Sequence, residues 1–281
     1  MKEILITTNI GKWILKKAME YAATFGLSVW LSPQESSLSE LGVMHEGQVS
    51  TRLGLTGIPV IAETLAVATI LMLAKDIGAR VHLSKLSSYA AVELVRDAKE
   101  KGIDVTCDVS VHNLHLCDVD IGFFDTNFRF SPPLRGPRDR KGLRAGLEDD
   151  TVDLICSNHS PVGQDFKNIP FAQAMPGSSS VELLLPLTLQ WAREEGQTLL
   201  KGLKKITSSP SKILGIDPPS LALGELANLC IFDPELPWVV SSKSLVSTGK
   251  NTPFIDKELV GRIIYTIVNG KISFDASEVY P

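Results

Sequence analysis

Residues Ala79–Val109, ARVHLSKLSSYAAVELVRDAKEKGIDVTCDV, decide the fold class. The stretch opens on a short apolar run, Ala79–Leu83, and closes on another, Asp104–Val109. Between them Ser88–Lys101 reads as a helix. It ends at Gly102, a residue suited to the left-handed turn after a helix, and carries lysines in its last turn, where the carbonyl end of the dipole favours cations. Strand, helix and strand in so short a span form a βαβ unit, whose two strands run parallel.

The same alternation extends in both directions. Leu27–Leu31 reads as a strand after a helix-like stretch, Lys12–Phe25, whose apolar side is Ile14, Ala18, Tyr21, Ala22 and Phe25. A helix over Pro59–Asp76, with proline at its start, precedes Ala79–Leu83. Val152–Ser157 supplies a further strand, and Ile4–Thr7 another at the very start. Near-continuous apolar character in these runs predicts strands covered on both faces. Past residue 215 the texture changes: Gly224–Phe232 and Leu259–Phe274 read as strands, with a hairpin turn at Asn269-Gly270. The expected organisation is an α/β chain, with a partial (β/α) barrel over 1–215 and a small β segment over 216–281.

Composition narrows the function classes. Of 281 residues, 44% are hydrophobic and 21% charged, as in ordinary globular proteins. Lys and Arg total 28 against 32 Asp and Glu, a net charge of −4, so there is no electrostatic footprint for nucleic acid or an anionic membrane. Cys107, Cys117, Cys156 and Cys230 show no CxxC spacing, and the start MKEILITTNIGKW has no apolar signal-peptide region. Reduced thiols and a cytoplasmic location are the expectation. Glu63 interrupts the longest apolar run, Pro59–Ala74, which reads as a buried helix and not a membrane span.

In a parallel α/β barrel, chemistry gathers where strands end and the following loops begin. Four positions stand there: Ser32-Pro33-Gln34-Glu35, Ser84-Lys85, His112 and Asn158-His159.

These positions carry a family resemblance. GVMHEGQVSTRLGLTGIP (Gly42–Pro59) followed by AETLAVA, FFDTNFRFSPPLRGPRD (Phe123–Asp139) and DLICSNHSP (Asp153–Pro161) resemble, in order and spacing, segments of class I dihydroorotases. SPSKILGI, ANLCIFDP, KNTPF and IVNGK resemble the closing segments of the same family, so the likeness runs from about Lys12 onward. It implies an amidohydrolase-type (β/α)8 barrel, incomplete here, with about strands 4–8 present and part of the accompanying composite β-domain. It also implies a zinc enzyme of pyrimidine biosynthesis that interconverts carbamoyl aspartate and dihydroorotate.

Carried over residue by residue, the family's metal positions are altered. The strand-five His matches Ser32, the strand-six His matches Lys85, and the strand-eight Asp, which is also the general base, matches Asn158. No His-x-His pair occurs in the chain, and no aspartate stands near the start to serve as the strand-four ligand. Among substrate contacts, the Asn before PPLR is Ser131 and the second His of the strand-eight motif is Val162, while Pro176 and Gly177 match the family's backbone contact. A catalytic zinc needs about three ligands from His, Cys and carboxylates plus an open position. A hydroxyl, an ammonium and a carboxamide do not supply them, and Asn158 cannot take a proton from water.

The resemblance therefore implies a pseudoenzyme without metal or catalytic residues. Inactive relatives of this kind assemble with aspartate transcarbamoylase, so its catalytic subunit is the expected partner. An incomplete barrel leaves two open sheet edges, so the expectation is a homo-oligomer in which dimerisation supplies the missing wall, unless the chain is a fragment or shortened product. The enzyme alternative, an active or residual dihydroorotase, would need zinc held by Glu35, His112 and His159. A third reading is a module binding an anionic metabolite at Lys85.

Other features have plainer readings. His45, His82 and His115 are expected to be structural, with only His112 and His159 near the mouth. Cys156 is expected to be a buried core thiol, although His159 lies close by. Ser209-Pro210-Ser211-Lys212 matches S-x-x-K but reads as a helix start with Pro at the first position. Arg135, Arg138, Arg140, Lys141 and Arg144 form a basic stretch, either a solvated face or a contact for an acidic partner. Asn158-His159-Ser160 fits a glycosylation sequon but carries no meaning without secretion.

Overall fold

The computed structural model describes residues 3–6, 11–218 and 220–279. Five strands form one parallel sheet in the order β1 (Glu3–Ile6), β2 (Ser28–Leu31), β3 (Arg80–Leu86), β4 (Val105–Ser110) and β5 (Leu154–Cys156). Each strand lies beside the next in sequence, as right-handed βα units laid side by side require. The strand expected at Ile4–Thr7 is β1, shifted by one residue; Thr7 lies outside the described residues.

Helices α1 (Lys12–Thr24), α2 (Val60–Ile77), α3 (Tyr89–Glu100), α4 (Pro137–Glu148) and α5 (Leu184–Glu194) accompany the sheet, with α6 (Leu199–Ile206) beyond them. The termini of α3 match the sequence reading: Ser88 Oγ accepts from the Ala91 N–H at 3.2 Å, and Gly102, at φ 73°, donates to the Lys99 carbonyl. Pro59 stands just ahead of α2 and not within its first turn. Ser208–Leu214 is a helix, as the plain reading of the S-x-x-K stretch expects, but Pro210 is its third residue.

One face of the sheet is apolar and the other is not. Val29, Leu31, Val81, Leu83, Val105, Cys107 and Val109 point to the helices, where they meet Val67, Ile70, Val92, Val95, Leu143 and Trp191 in the main core. Trp30, His82, Thr106 and Asp108 occupy the alternate positions. Both faces are covered, as expected, since His82 and Asp108 are buried; but the inner face is polar where the apolar character of the runs suggested otherwise.

A second, antiparallel sheet contains β6 (Leu229–Val239), β7 (Glu258–Val268) and β8 (Lys271–Asp275), with β7 central. The hairpin at Asn269-Gly270 has positive φ at both residues, 51° and 75°, as a type I′ turn requires. The strand expected to end at Phe232 continues to Val239. Pro234 and Pro237 are tolerated because β6 is an edge strand whose pairing shifts between Asp233 and Pro237. This sheet packs on α5 at Gly261, where φ is 109° and an added Cβ would lie 2.6 Å from Leu189 Cδ1. Among the described residues no helix is long and apolar enough to cross a membrane.

Candidate functional site

The inner face of the parallel sheet is held by one hydrogen-bond network. The ring of His82 lies 4.2 Å from that of Trp30. Its Nδ1 is 2.8 Å from Thr106 Oγ1 and its Nε2 is 2.9 Å from Asp108 Oδ2. With the carboxylate as acceptor, Nε2 carries the proton and Nδ1 accepts the threonine hydroxyl. The second oxygen of Asp108 accepts the backbone N–H of Lys85 at 2.9 Å. From β5, the Cys156 thiol faces the same carboxylate; burial, reinforced by the nearby negative charge of Asp108, pushes it well above the ordinary thiol range.

Lys85 stands at a break in the β3–β4 pairing, between Leu83 and Leu86, with φ 61°. A non-glycine residue in this region costs about 1–2 kcal/mol, and the Asp108 hydrogen bond helps hold it there. The Lys85 ammonium has no hydrogen-bond or ion-pair partner among the described residues. Asn158, two residues past β5, has φ 48°. Ser32, just past β2, lines a cleft between α1 and α2 with Lys12 and Glu35. The strand tips thus hold Lys85 and Asn158, with Asp108 bonded to His82 and to the Lys85 backbone.

One expectation is corrected, and the other two residues of the alternative zinc set are engaged elsewhere. His112 does not reach the mouth: it is fully buried, its ring 4.4 Å from Phe130 and 6.0 Å from Phe254, and burial lowers its pKa to about 3. His159 is turned onto the chain, its Nδ1 accepting from the N–H groups of Ser180 and Val181 at 3.0 and 3.1 Å. Glu35 pairs with Lys12 at 3.5 Å. The alternative zinc set of Glu35, His112 and His159 is therefore not assembled, and among the described residues no group of three His, Cys, Asp or Glu is placed to hold a metal. The zinc that the resemblance implies does not fit Ser32, Lys85 and Asn158 either. A protonated ammonium has no lone pair to donate, and a hydroxyl and a carboxamide are weak neutral donors.

The positions matched to substrate contacts are occupied by internal bonds. The Gly177 N–H donates to the Arg129 carbonyl at 2.9 Å, and its carbonyl accepts from Asn251 Nδ2 at 3.0 Å. Its backbone lies so close to Ser160 that a Cβ would fall 2.3 Å from the Ser160 carbonyl oxygen. The Val162 N–H donates to Asn251 Oδ1 at 2.9 Å with its side chain buried, whereas Ser131 and Pro176 are exposed.

The basic stretch does not act as a unit. Arg135 is buried; its Nε donates to Ser87 Oγ at 3.1 Å and its Nη1 to the Ile58 carbonyl at 2.6 Å. Glu63, equally buried, accepts from the Ser87 N–H at 2.6 Å, and burial holds its carboxyl above the usual range. Arg138 stacks over Tyr89, and Arg140 and Arg144 donate to the His115 and Leu114 carbonyls. Sequence reasoning read His82 as structural, as its buried bonds bear out, but missed its partners Thr106 and Asp108. Their signal was polar residues at alternate places in otherwise apolar runs.

The parallel sheet, its outer helices and its polar inner face define a partial barrel of the hydantoinase type. An L-hydantoinase (dihydropyrimidinase) from Arthrobacter aurescens superimposes with a TM-score of 0.84 at 21% identity, covering 97% of this chain and 64% of that one. A dihydropyrimidinase from Brevibacillus agri gives 0.84 at 18%, covering 98% and 64%. Likeness at this identity carries the fold alone. In sequence, the chain is 38% identical over 261 residues to a protein named dihydroorotase from Trichlorobacter lovleyi, covering 93% of this chain and 61% of that protein. It is 40% identical over 262 residues to a dihydroorotase-like protein from Pseudomonas aeruginosa, covering 93% and 62%. The chain thus spans about three fifths of the length of the curated relatives it matches. No family model matches it.

Proposed function

We propose that the chain is a dihydroorotase-like protein of pyrimidine biosynthesis that lacks dihydroorotase chemistry and serves as a structural partner of aspartate transcarbamoylase. The observation that carries this reading is Lys85, whose ammonium stands at a strand tip where the resembling enzymes place a metal-binding histidine. Its backbone is tied to Asp108. Asn158 at the neighbouring tip supports the same reading, since a carboxamide cannot act as general base. The likeness to a relative named dihydroorotase-like protein supports it further.

The test is purification without chelator from a lysate containing the transcarbamoylase, followed by elemental analysis and a carbamoyl-aspartate cyclisation assay. Co-purification of the transcarbamoylase catalytic subunit, with little zinc and no turnover, is expected. Stoichiometric zinc with turnover would overturn the proposal in favour of a zinc-dependent dihydroorotase, the reading favoured by the names of most relatives. Absence of the transcarbamoylase from the purified material would remove the structural role.

A further inference from the structure

Away from the strand tips, a cavity of about 570 Å³ opens between α4, α5 and the segment leading into β7. This volume is within the usual range, about 300–1,000 Å³, of small-molecule sites. Two arginines of the basic stretch face it, and their circumstances differ. Arg144 is held at each nitrogen: Nη2 donates to Glu194 at 2.7 Å, Nη1 to the Leu114 carbonyl at 3.3 Å, and Nε forms an ion pair with Glu195. The other oxygen of Glu194 accepts from Gln190 at 2.8 Å, so Arg144 is already matched by carboxylates of this chain.

Arg140 has no carboxylate partner among the described residues. Its Nη1 donates to the His115 carbonyl at 3.0 Å, which leaves four guanidinium N–H groups unused. Lys257, on the opposite wall, has an exposed ammonium with no partner among the described residues. His115 is neutral in its buried setting and adds no charge. The remaining charged groups on the wall are Asp120, which accepts from the Cys117 N–H at 2.7 Å, and Glu258. These two cations and two carboxylates balance in charge, so what favours an anion here is the Arg140 fork, whose geometry matches a planar carboxylate. Phe128, Pro253 and Leu259 supply an apolar wall.

We propose that this cavity binds a small organic carboxylate with an apolar or aromatic body. The carboxylate pairs with Arg140, whose fork matches it in two-point geometry, and with Lys257. The body lies against Phe128 and Pro253. The site is independent of the strand tips, and its failure would leave the structural role untouched.

The probe is 4-fluorobenzoate, titrated into the full chain and followed by its fluorine resonance. Saturable binding is expected. It should weaken roughly tenfold or more in Arg140→Gln, as loss of a charge-assisted pair requires. Lys257→Gln, a change at an exposed side chain without contacts, should weaken it in a protein that still folds. Lys85→Ala, at the strand tips, and Lys141→Gln, on the exposed side of α4, should leave it unchanged, and equimolar inorganic phosphate should not displace the probe. The proposal is overturned by absence of saturable binding, by binding that survives Lys257→Gln in full, by loss in Lys85→Ala, or by equal displacement with phosphate.

Discussion

Nε2 of His82 lies 2.9 Å from Oδ2 of Asp108, and both side chains are buried on the inner face of the sheet. The pair joins β3 to β4, and the other oxygen of Asp108 holds Lys85 at its positive φ. Asp108 therefore organises the strand tips.

Replacing Asp108 with Ala removes two hydrogen bonds to a carboxylate and leaves a histidine N–H buried without a partner. Bonds to charged groups contribute about 1.5–3 kcal/mol each. A loss of about 3 kcal/mol in urea unfolding is expected. A change within 0.5 kcal/mol, on the order expected for an inert surface site, would refute the organising role.

Lys85→Gly should act in the opposite direction. Glycine adopts φ 61° without the Cβ penalty, so stability should rise by about 1 kcal/mol. Destabilisation would mean that the lysine side chain contributes more to the fold than its backbone costs.

The thiols should separate by reactivity. Burial holds all four thiols above the ordinary range, with Asp108 adding to the effect at Cys156, and what separates them is access: Cys107 and Cys117 are buried and Cys156 is half-buried, whereas Cys230 is exposed. Native protein treated with a disulfide reagent near pH 8 should show one fast thiol per chain, absent in Cys230→Ser, with the rest released on denaturation. Fast reaction at Cys156 would contradict the inner-face geometry.

Acid should destabilise the fold through two buried histidines. Burial depresses His112 to about 3 and His115 to about 4, whereas an unfolded histidine titrates near 6.5. Between those values the unfolded chain binds more protons. The stabilisation is fully present above about 6.5 and is lost as pH falls through the window toward 3–4. Urea midpoints should drop from pH 7 to pH 5. His112→Phe, between Phe130 and Phe254, should flatten part of the slope; an identical slope would exclude His112 as a source.

Gly261→Ala should cost about 1–3 kcal/mol, since it combines φ 109° with a Cβ placed 2.6 Å from Leu189 Cδ1. A neutral result would mean that β7 and α5 can separate slightly without loss.

Much of the fold was legible in one dimension because helices and strands announce themselves by local periodicity and caps. Ser88 and Gly102 bracket α3, short apolar runs mark β3 and β4, and Asn269-Gly270 forms its turn in place. The chemistry of the strand-tip residues Ser32, Lys85 and Asn158 was likewise readable, since residue type is local information. What tertiary structure alone decided is which polar groups meet. His82 faces Asp108 across adjacent strands, whereas His112 turns away between Phe130 and Phe254. The two histidines look alike in sequence; their fates follow from strand register and from which side chains fill the space around them, neither of which a local pattern encodes.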